Sequence, residues 1–350
     1  MKTFLTHGAF SNIYLDTDDK HGEIIIKESR VQPNSEKDKE YMARQLRGYD
    51  VVNKIRQSGN DFGVVLPELI SVINGPERDS IIEKRIKGAD FNAQIYKNLS
   101  EEQKENAAHQ MALFLNTMHQ MQPPKPADKS IKALFERNPN HPQTTKQFSD
   151  VFDGKIPSAY LERIAAAEQA LNRYDVSDEV HVMTHKDLRS QNIMYDINTG
   201  KLAVIDFEMA GVDNIYCDFV AFAAGTSMSW DFSRRVIKYY NAIPDKKYPI
   251  TINPDKVKNA LIYGTAHEFS RVLADDKKKD KNIDMAERVG FLVSNLNYHI
   301  GMDELFNADT ANKIQEAINR AIAKIKEMEN EVDAGAVIRY MQAENSGYKK

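Results

Sequence analysis

A chain of 350 residues, 28% charged and 41% hydrophobic with one Trp, is long enough for two packed lobes and is neither disordered nor collagen-like in composition. Its formal charge of −4 leaves no basic footprint for nucleic acid, and the lysine run at 277–279 sits between Asp275, Asp276 and Asp280 as a solvated loop. The lone Cys217 reads as a packing residue, no signal-peptide core opens the chain, and no run approaches the roughly 18 apolar residues of a membrane span, so a cytoplasmic protein with no membrane partner is expected.

The first ninety residues read as β-structure with one helix. Short β-prone runs at 13–16 and 23–28 flank the polar turn Asp18-Asp19-Lys20-His21-Gly22, which predicts a hairpin. Before it, Gly8, Ser11 and Asn12 form a small polar loop whose backbone N–H groups can approach phosphate oxygens, although a simple turn would also use Gly8. Lys27 ends the buried run Ile24-Ile25-Ile26, so it either reaches out to water or holds an anion. Ser35 with Asp38 three residues on marks a helix start, and Met42, Leu46, Tyr49, Val52 and Ile55 continue it to about Gly59. That helix carries Glu36 and Glu40. Glu40 is the better placed to pair with Lys27, as a helix glutamate and strand lysine do in kinases.

A second hairpin is predicted from 66–73 and 80–86 around Asn74-Gly75-Pro76. Its outgoing strand leads to the place where composition changes, giving an N-terminal lobe at 1–86 and a C-terminal lobe at 87–350. Backbone groups of Lys84 and Ile86 at this junction can bond an adenine edge, or the segment is a plain edge strand. Beyond it the period becomes helical at 100–121, Pro123, Pro124 and Pro126 break the pattern, 129–152 reads as short helices and loops, and 160–174 is helical again.

The stretch from His181 to Asp218 carries the chemistry. Strand-like runs near 180–183, 193–196 and 202–205 place Asp187 and Asn192 in one loop and Asp206 at the end of a neighbouring strand. Phosphoryl transfer needs positioning and charge neutralisation rather than covalent work by the protein. Asp187 is expected to orient the attacking hydroxyl, Asn192 and Asp206 to bind Mg²⁺ through oxygen, and Lys27 to hold the phosphates of ATP or GTP. His185 reads as a residue that fixes the loop.

HKDLRSQN followed by VIDFE resembles the HxDxxxxN and IDxE signatures of the aminoglycoside phosphotransferase and choline kinase superfamily, small-molecule relatives of protein kinases. The resemblance runs from about Phe4 to Tyr240 and takes in the Gly8 to Tyr14 loop, Lys27, Glu40, Lys84, Ile86 and Asp218. It implies an α+β, bilobal protein-kinase-like fold, with a β-rich N-terminal lobe containing one helix and a larger, mainly α-helical C-terminal lobe. It implies a buttressing role for Asp218 and a Mg²⁺- and nucleotide-dependent transfer to the hydroxyl of a small molecule. Lys186 departs from the family, where Gly or Asn is commoner. Arg189 stands where protein kinases carry a lysine that touches the γ-phosphate, and either does the same or pairs with a surface carboxylate.

After Asp218 the pattern is helical at 219–224, 232–240, 257–273, 285–299, 311–328 and 332–342. A protein kinase is the nearest rival, but only eleven residues separate Asp206 from Asp218, too few for a phosphorylatable activation segment. A catalytically inactive, kinase-like binding module is the rival of another class, yet Lys27, Asp187, Asn192 and Asp206 are all present. The acceptor is left open among amino sugars, amino alcohols, sugars and nucleosides, with Tyr216, Trp230, Asp231 and Glu268 as candidate contacts for a cation.

Overall fold

The computed structural model describes residues 2–8, 10–30, 35–59, 63–75, 78–135, 158–225 and 230–274. They pack as two compact units. The first comprises Met1–Lys125, Val180–Phe222 and Arg235–Ile252, and the second comprises Pro126–Glu179, Ala223–Arg234 and the described residues from Asn253 onward. The expected junction at residue 86 therefore lies inside the first unit. The predicted helices beyond 274, the 277–279 run and most of 129–152 lie outside the described residues.

The first unit opens with strands β1 (Thr3–His7), β2 (Ser11–Asp18) and β3 (Gly22–Ser29). Helix α1 (Glu36–Gln57) follows, then β4 (Leu69–Asn74) and β5 (Asp79–Lys84). The five strands form one antiparallel sheet in the order β1-β2-β3-β5-β4. Both hairpins expected from the turn residues are there, while β1 is an added edge strand with a bulge between Phe4 and Thr6. Helix α1 starts where Ser35 accepts the Asp38 N–H at 3.1 Å, a cap worth about 1 kcal/mol. It buries Tyr41, Met42 and Tyr49 with Ile81, against Leu69 and Val72 of β4.

A short strand β6 (Ala89–Asp90) and helix α2 (Ala93–Asn98) lead into α3 (Glu101–His119), which begins at a capping box made by Ser100 and Gln103. Helix α3, within the span read as helical, buries Ala107, Met111, Phe114, Leu115 and Met118 on its apolar face. A two-residue strand β7 (Lys125–Pro126) closes this part. The chain returns to the first unit with β8 (Val180–Thr184), β9 (Ile193–Asp196), β10 (Lys201–Val204) and β11 (Gly211–Asn214). β9 pairs antiparallel with β10 and with β6, and β8 with β11. Gln110 of α3 binds this hairpin, accepting the Leu202 N–H at 2.9 Å and donating to the Gly200 carbonyl at 2.8 Å.

Within the second unit, α4 (Ile131–Phe135) and α5 (Ser158–Arg173) pack on the long helix running Pro254–Ala274. Lys256 pairs with Glu179 at 2.7 Å, both almost fully buried, and Glu179 also accepts the Ile131 N–H. Helices α6 (Tyr216–Gly225) and α7 (Trp230–Ala242) precede that long helix, which is α8. No helix among the described residues is long and apolar enough to cross a membrane.

Candidate active site

The loop after β8 is held by one carboxylate. Asp218, fully buried at the start of α6, accepts the backbone N–H of His185 at 3.0 Å and of Lys186 at 2.9 Å, one on each oxygen. Satisfying two consecutive N–H groups, that of His185 buried and that of Lys186 partly so, lets the backbone turn sharply, and Lys186 has φ 67°. A non-glycine residue there carries strain, which these two bonds offset. The Lys186 ammonium pairs with Asp213 of β11 at 3.1 Å.

His185 locks the loop from inside. Its Nε2 lies 3.0 Å from the Ile205 carbonyl and so must donate, leaving Nδ1 to accept the Asp187 N–H at 3.3 Å. Burial holds its pKa below the ordinary imidazole value against the pull of Asp218 and the Ile205 carbonyl, in keeping with a neutral ring. Its ring packs edge-on against Phe207 at 4.6 Å between centroids, and Phe207 meets Phe114 of α3.

Strand pairing then brings the distant residues together. Ile193 opposes Val204, and the Ile205 N–H donates to the Asn192 carbonyl at 2.9 Å, so the residue after Ile205, Asp206, emerges beside Asn192. Asn192 is buried, and its Nδ2 donates to the Asp187 carboxylate and carbonyl, each at 2.8 Å. Spending the amide nitrogen on Asp187 leaves the amide oxygen as a ligand atom. Arg189 Nε also reaches Asp187, at 3.3 Å, so Arg189 forms an ion pair with a carboxylate of its own loop. Asp206 adopts a left-handed backbone, φ 64°, before the 3-10 turn Phe207–Met209.

Lys27 lies across from this turn, but its partner is not the expected one. Its Nζ is 3.2 Å from Glu83 Oε1, and the Tyr49 hydroxyl donates to Glu83 Oε2 at 2.5 Å. Glu40 and Glu36 are both exposed on the outer face of α1, so the pairing of Glu40 with Lys27 is corrected: the helix turns Tyr41, Gln45, Gly48 and Tyr49 inward instead. Burial disfavours the Lys27 ammonium, yet Glu83 beside it, with Tyr49, Asp206 and Tyr41, raises its pKa well above the ordinary lysine value. Lys27, Gln45, Gly48, Tyr49, Glu83 and Asp206 line one small cavity of about 10 Å³.

At the other expected contacts the picture is mixed. The Gly8 N–H donates to the Ser11 carbonyl at 2.7 Å, closing the turn on itself, and Ser11 is buried. Asn12 Oδ1 bonds His7 Nδ1 at 2.8 Å. The Lys84 N–H donates to the Glu68 carbonyl at 2.9 Å, so it is already spent and not offered to a base. Ile86 lies just beyond β5, half-buried, in the wall of a cavity of about 410 Å³ shared with Val65, Leu66 and Ala203. Among the cation candidates, Tyr216 is buried and Asp231 pairs with Arg234, while the Glu268 side chain lies outside the described part.

The model of the phosphotransferase enzyme family (APH) matches residues 4–245, close to the span of the resemblance read from the motifs. This chain belongs to that family. Among solved structures, it is similar to the GDP and kanamycin complex of APH(2")-IIia, at 14% identity over 93% of each chain with a TM-score of 0.51. It is also similar to the GDP complex of wild-type aminoglycoside 2'-phosphotransferase-IIIa, at 13% identity over 91% of this chain and 93% of that one, with a TM-score of 0.50. The fold of this phosphotransferase family member is thus α+β and kinase-like, β-rich in its N-terminal part and helical in its C-terminal part.

Two residues of this APH-family site escaped sequence reasoning. His119, at the end of α3, places Nε2 3.2 Å from Asp218 and Nδ1 3.1 Å from the Tyr240 hydroxyl, wholly buried. Nothing in the amphipathic pattern of α3 separates it from a surface histidine. Glu83 did leave a signal: it shares strand parity with the buried Ile81, as Lys27 does with Ile25, and two opposite charges on the core faces of paired strands call for each other.

Proposed function

We propose that this protein transfers the γ-phosphoryl group of a Mg²⁺-bound nucleoside triphosphate, ATP or GTP, to a hydroxyl of a small molecule. The observation that carries the reading is the convergence where β9 begins and β10 ends: Asp187 fixed by Asn192, and Asn192 joined through strand pairing to Asp206. Asp187 takes up or orients the proton of the acceptor hydroxyl, and Arg189 beside it offers positive charge to a transferring phosphoryl group. Lys27 holds the nucleotide phosphates, and Gly8, Ser11 and Asn12 shape the turn that faces them.

The donor set fits Mg²⁺. Asn192 and Asp206 supply hard oxygen atoms, and among the described residues no trio of acidic, histidine or cysteine side chains forms a cage of its own. A pair of protein ligands completed by water and phosphate oxygens is the usual Mg²⁺ arrangement at such sites. The ion, when bound, neutralises charge on the phosphates.

The segment between Asp206 and Asp218 supports a small acceptor over a protein one. It is consumed by a 3-10 turn and β11, which pairs with β8, so no activation segment stands between them. The kanamycin complex of a protein with the same fold makes amino sugars the first class to screen, followed by amino alcohols, sugars and nucleosides. The test is consumption of ATP and GTP against pools of these compounds. Asp187→Ala is expected to cut turnover at least about a hundredfold while Mg-nucleotide binding persists. A variant that turns over at the wild-type rate would remove Asp187 from the reaction.

A further inference from the structure

The helix that a kinase-like site uses to hold its phosphate lysine contributes no carboxylate here. On α1, Glu36, Glu40 and Asp50 are exposed, and Asp38 is buried but accepts the Ser29 hydroxyl at 2.6 Å. The inward positions are Tyr41, Gln45, Gly48 and Tyr49, and Gln45 is spent on Glu208. The sheet fills the gap. In the β3–β5 register Lys27 opposes Ile81 and Ile25 opposes Glu83, so Lys27 and Glu83 are diagonal neighbours on one face, within reach for two long side chains. The two side chains are 12% and 9% exposed, and a buried ammonium left without a counter-charge is disfavoured by desolvation.

We propose that Glu83 of β5 is the positioning carboxylate for Lys27, and that Tyr49, through its hydroxyl, ties α1 to that pair. This rests on the reading of the chain as a nucleotide-dependent phosphotransferase. The two oxygens of Glu83 divide the work, Oε1 to Lys27 and Oε2 to Tyr49. The lysine is thereby anchored to a rigid neighbouring strand, and the helix is registered to it by an uncharged donor.

The experiment is calorimetric titration of the full chain with Mg-ATP, Mg-GTP, adenosine and guanosine. Lys27 reaches phosphates and not the base, so Glu83→Gln is expected to weaken the triphosphate about tenfold and leave the nucleoside unchanged. Tyr49→Phe is expected to act in the same direction and less. Both losses should vanish when the substitutions are made in a Lys27→Met background. Thermal melting checks that each variant folds, and if Glu83→Gln does not, the Tyr49→Phe cycle decides.

Equal weakening of nucleoside and triphosphate, or a loss that persists with Lys27→Met, would mean a merely structural role and overturns the proposal. So does tighter triphosphate binding, which is expected if Glu83 only competes with phosphates for Lys27. A larger loss from Glu40→Ala than from Glu83→Gln returns the role to the helix. Wild type that binds neither triphosphate overturns the phosphotransferase reading and this inference with it; wild type that binds, with Glu83→Gln and Tyr49→Phe indistinguishable from it, overturns this inference alone.

Discussion

At His185 both ring nitrogens are committed, one donating to Ile205 and the other accepting from Asp187. Protonation would turn the accepting nitrogen into a donor facing another donor, so the loop that carries Asp187 is tied to a neutral ring. Burial lowers the folded pKa below the unfolded value of about 6.5, so the unfolded chain binds the proton first as pH falls. The contribution of this residue is fully present above about pH 6.5 and is lost as pH drops through the folded pKa. Melting temperatures measured from pH 8 to 5 should fall below about pH 6.5, with a flatter profile in His185→Asn. An unchanged slope in that variant would assign the effect to another group.

Helix α1 shows what a residue-by-residue reading misses at the level of an element. Its cap, period and end are all legible, because Ser35, Asp38 and the apolar steps obey local rules. Its rotation about the axis is not, since that is set by what it meets. A Cβ on Gly48 would lie 2.8 Å from the Phe207 carbonyl carbon and oxygen, so the helix rests directly on the turn that carries Asp206. On an exposed helix Gly→Ala adds about 1 kcal/mol of stability. Here the neighbour is backbone and cannot swing aside, so Gly48→Ala should lower the melting temperature and the turnover rate together. Greater stability with full activity would show that the contact is loose.

The same contrast runs through the sheets. Hairpins announced by turn residues were legible, whereas β1 and β11 were not: β1 is an exposed edge with little apolar alternation, and β11 is the four polar-leaning residues Gly211–Asn214. The site motifs between Asp187 and Asp206 were legible as a set because their spacing is local. His119 was not, because it acts through a partner more than fifty residues away, and the parity that marks Glu83 points to Lys27 only once β3 and β5 are paired.

For the whole molecule, nucleotide and metal are expected to stabilise the fold jointly. A ligand at a hundredfold its dissociation constant adds about 2.7 kcal/mol to the folded state. Mg²⁺ with ATP or GTP should therefore raise the melting temperature, a chelator should reverse most of the rise, and Asp206→Ala should lose its metal-dependent part. If Asp206→Ala keeps the full Mg²⁺-dependent rise, the ion is held elsewhere.

The pairing of β9 with β10 also decides where this chain tolerates a change of length. Asn192 and Asp206 meet because the ladder folds the intervening sequence back on itself, and residues 197–199 at its far end are exposed. A residue added or removed at that tip alters neither ladder nor parity. One removed within Lys201–Val204 moves Asp206 to the opposite face of the strand and separates it from Asn192. Insertions and deletions, more sharply than substitutions, would thus outline the proposed reacting centre along the sequence: silent at the tip, and disabling a few residues away.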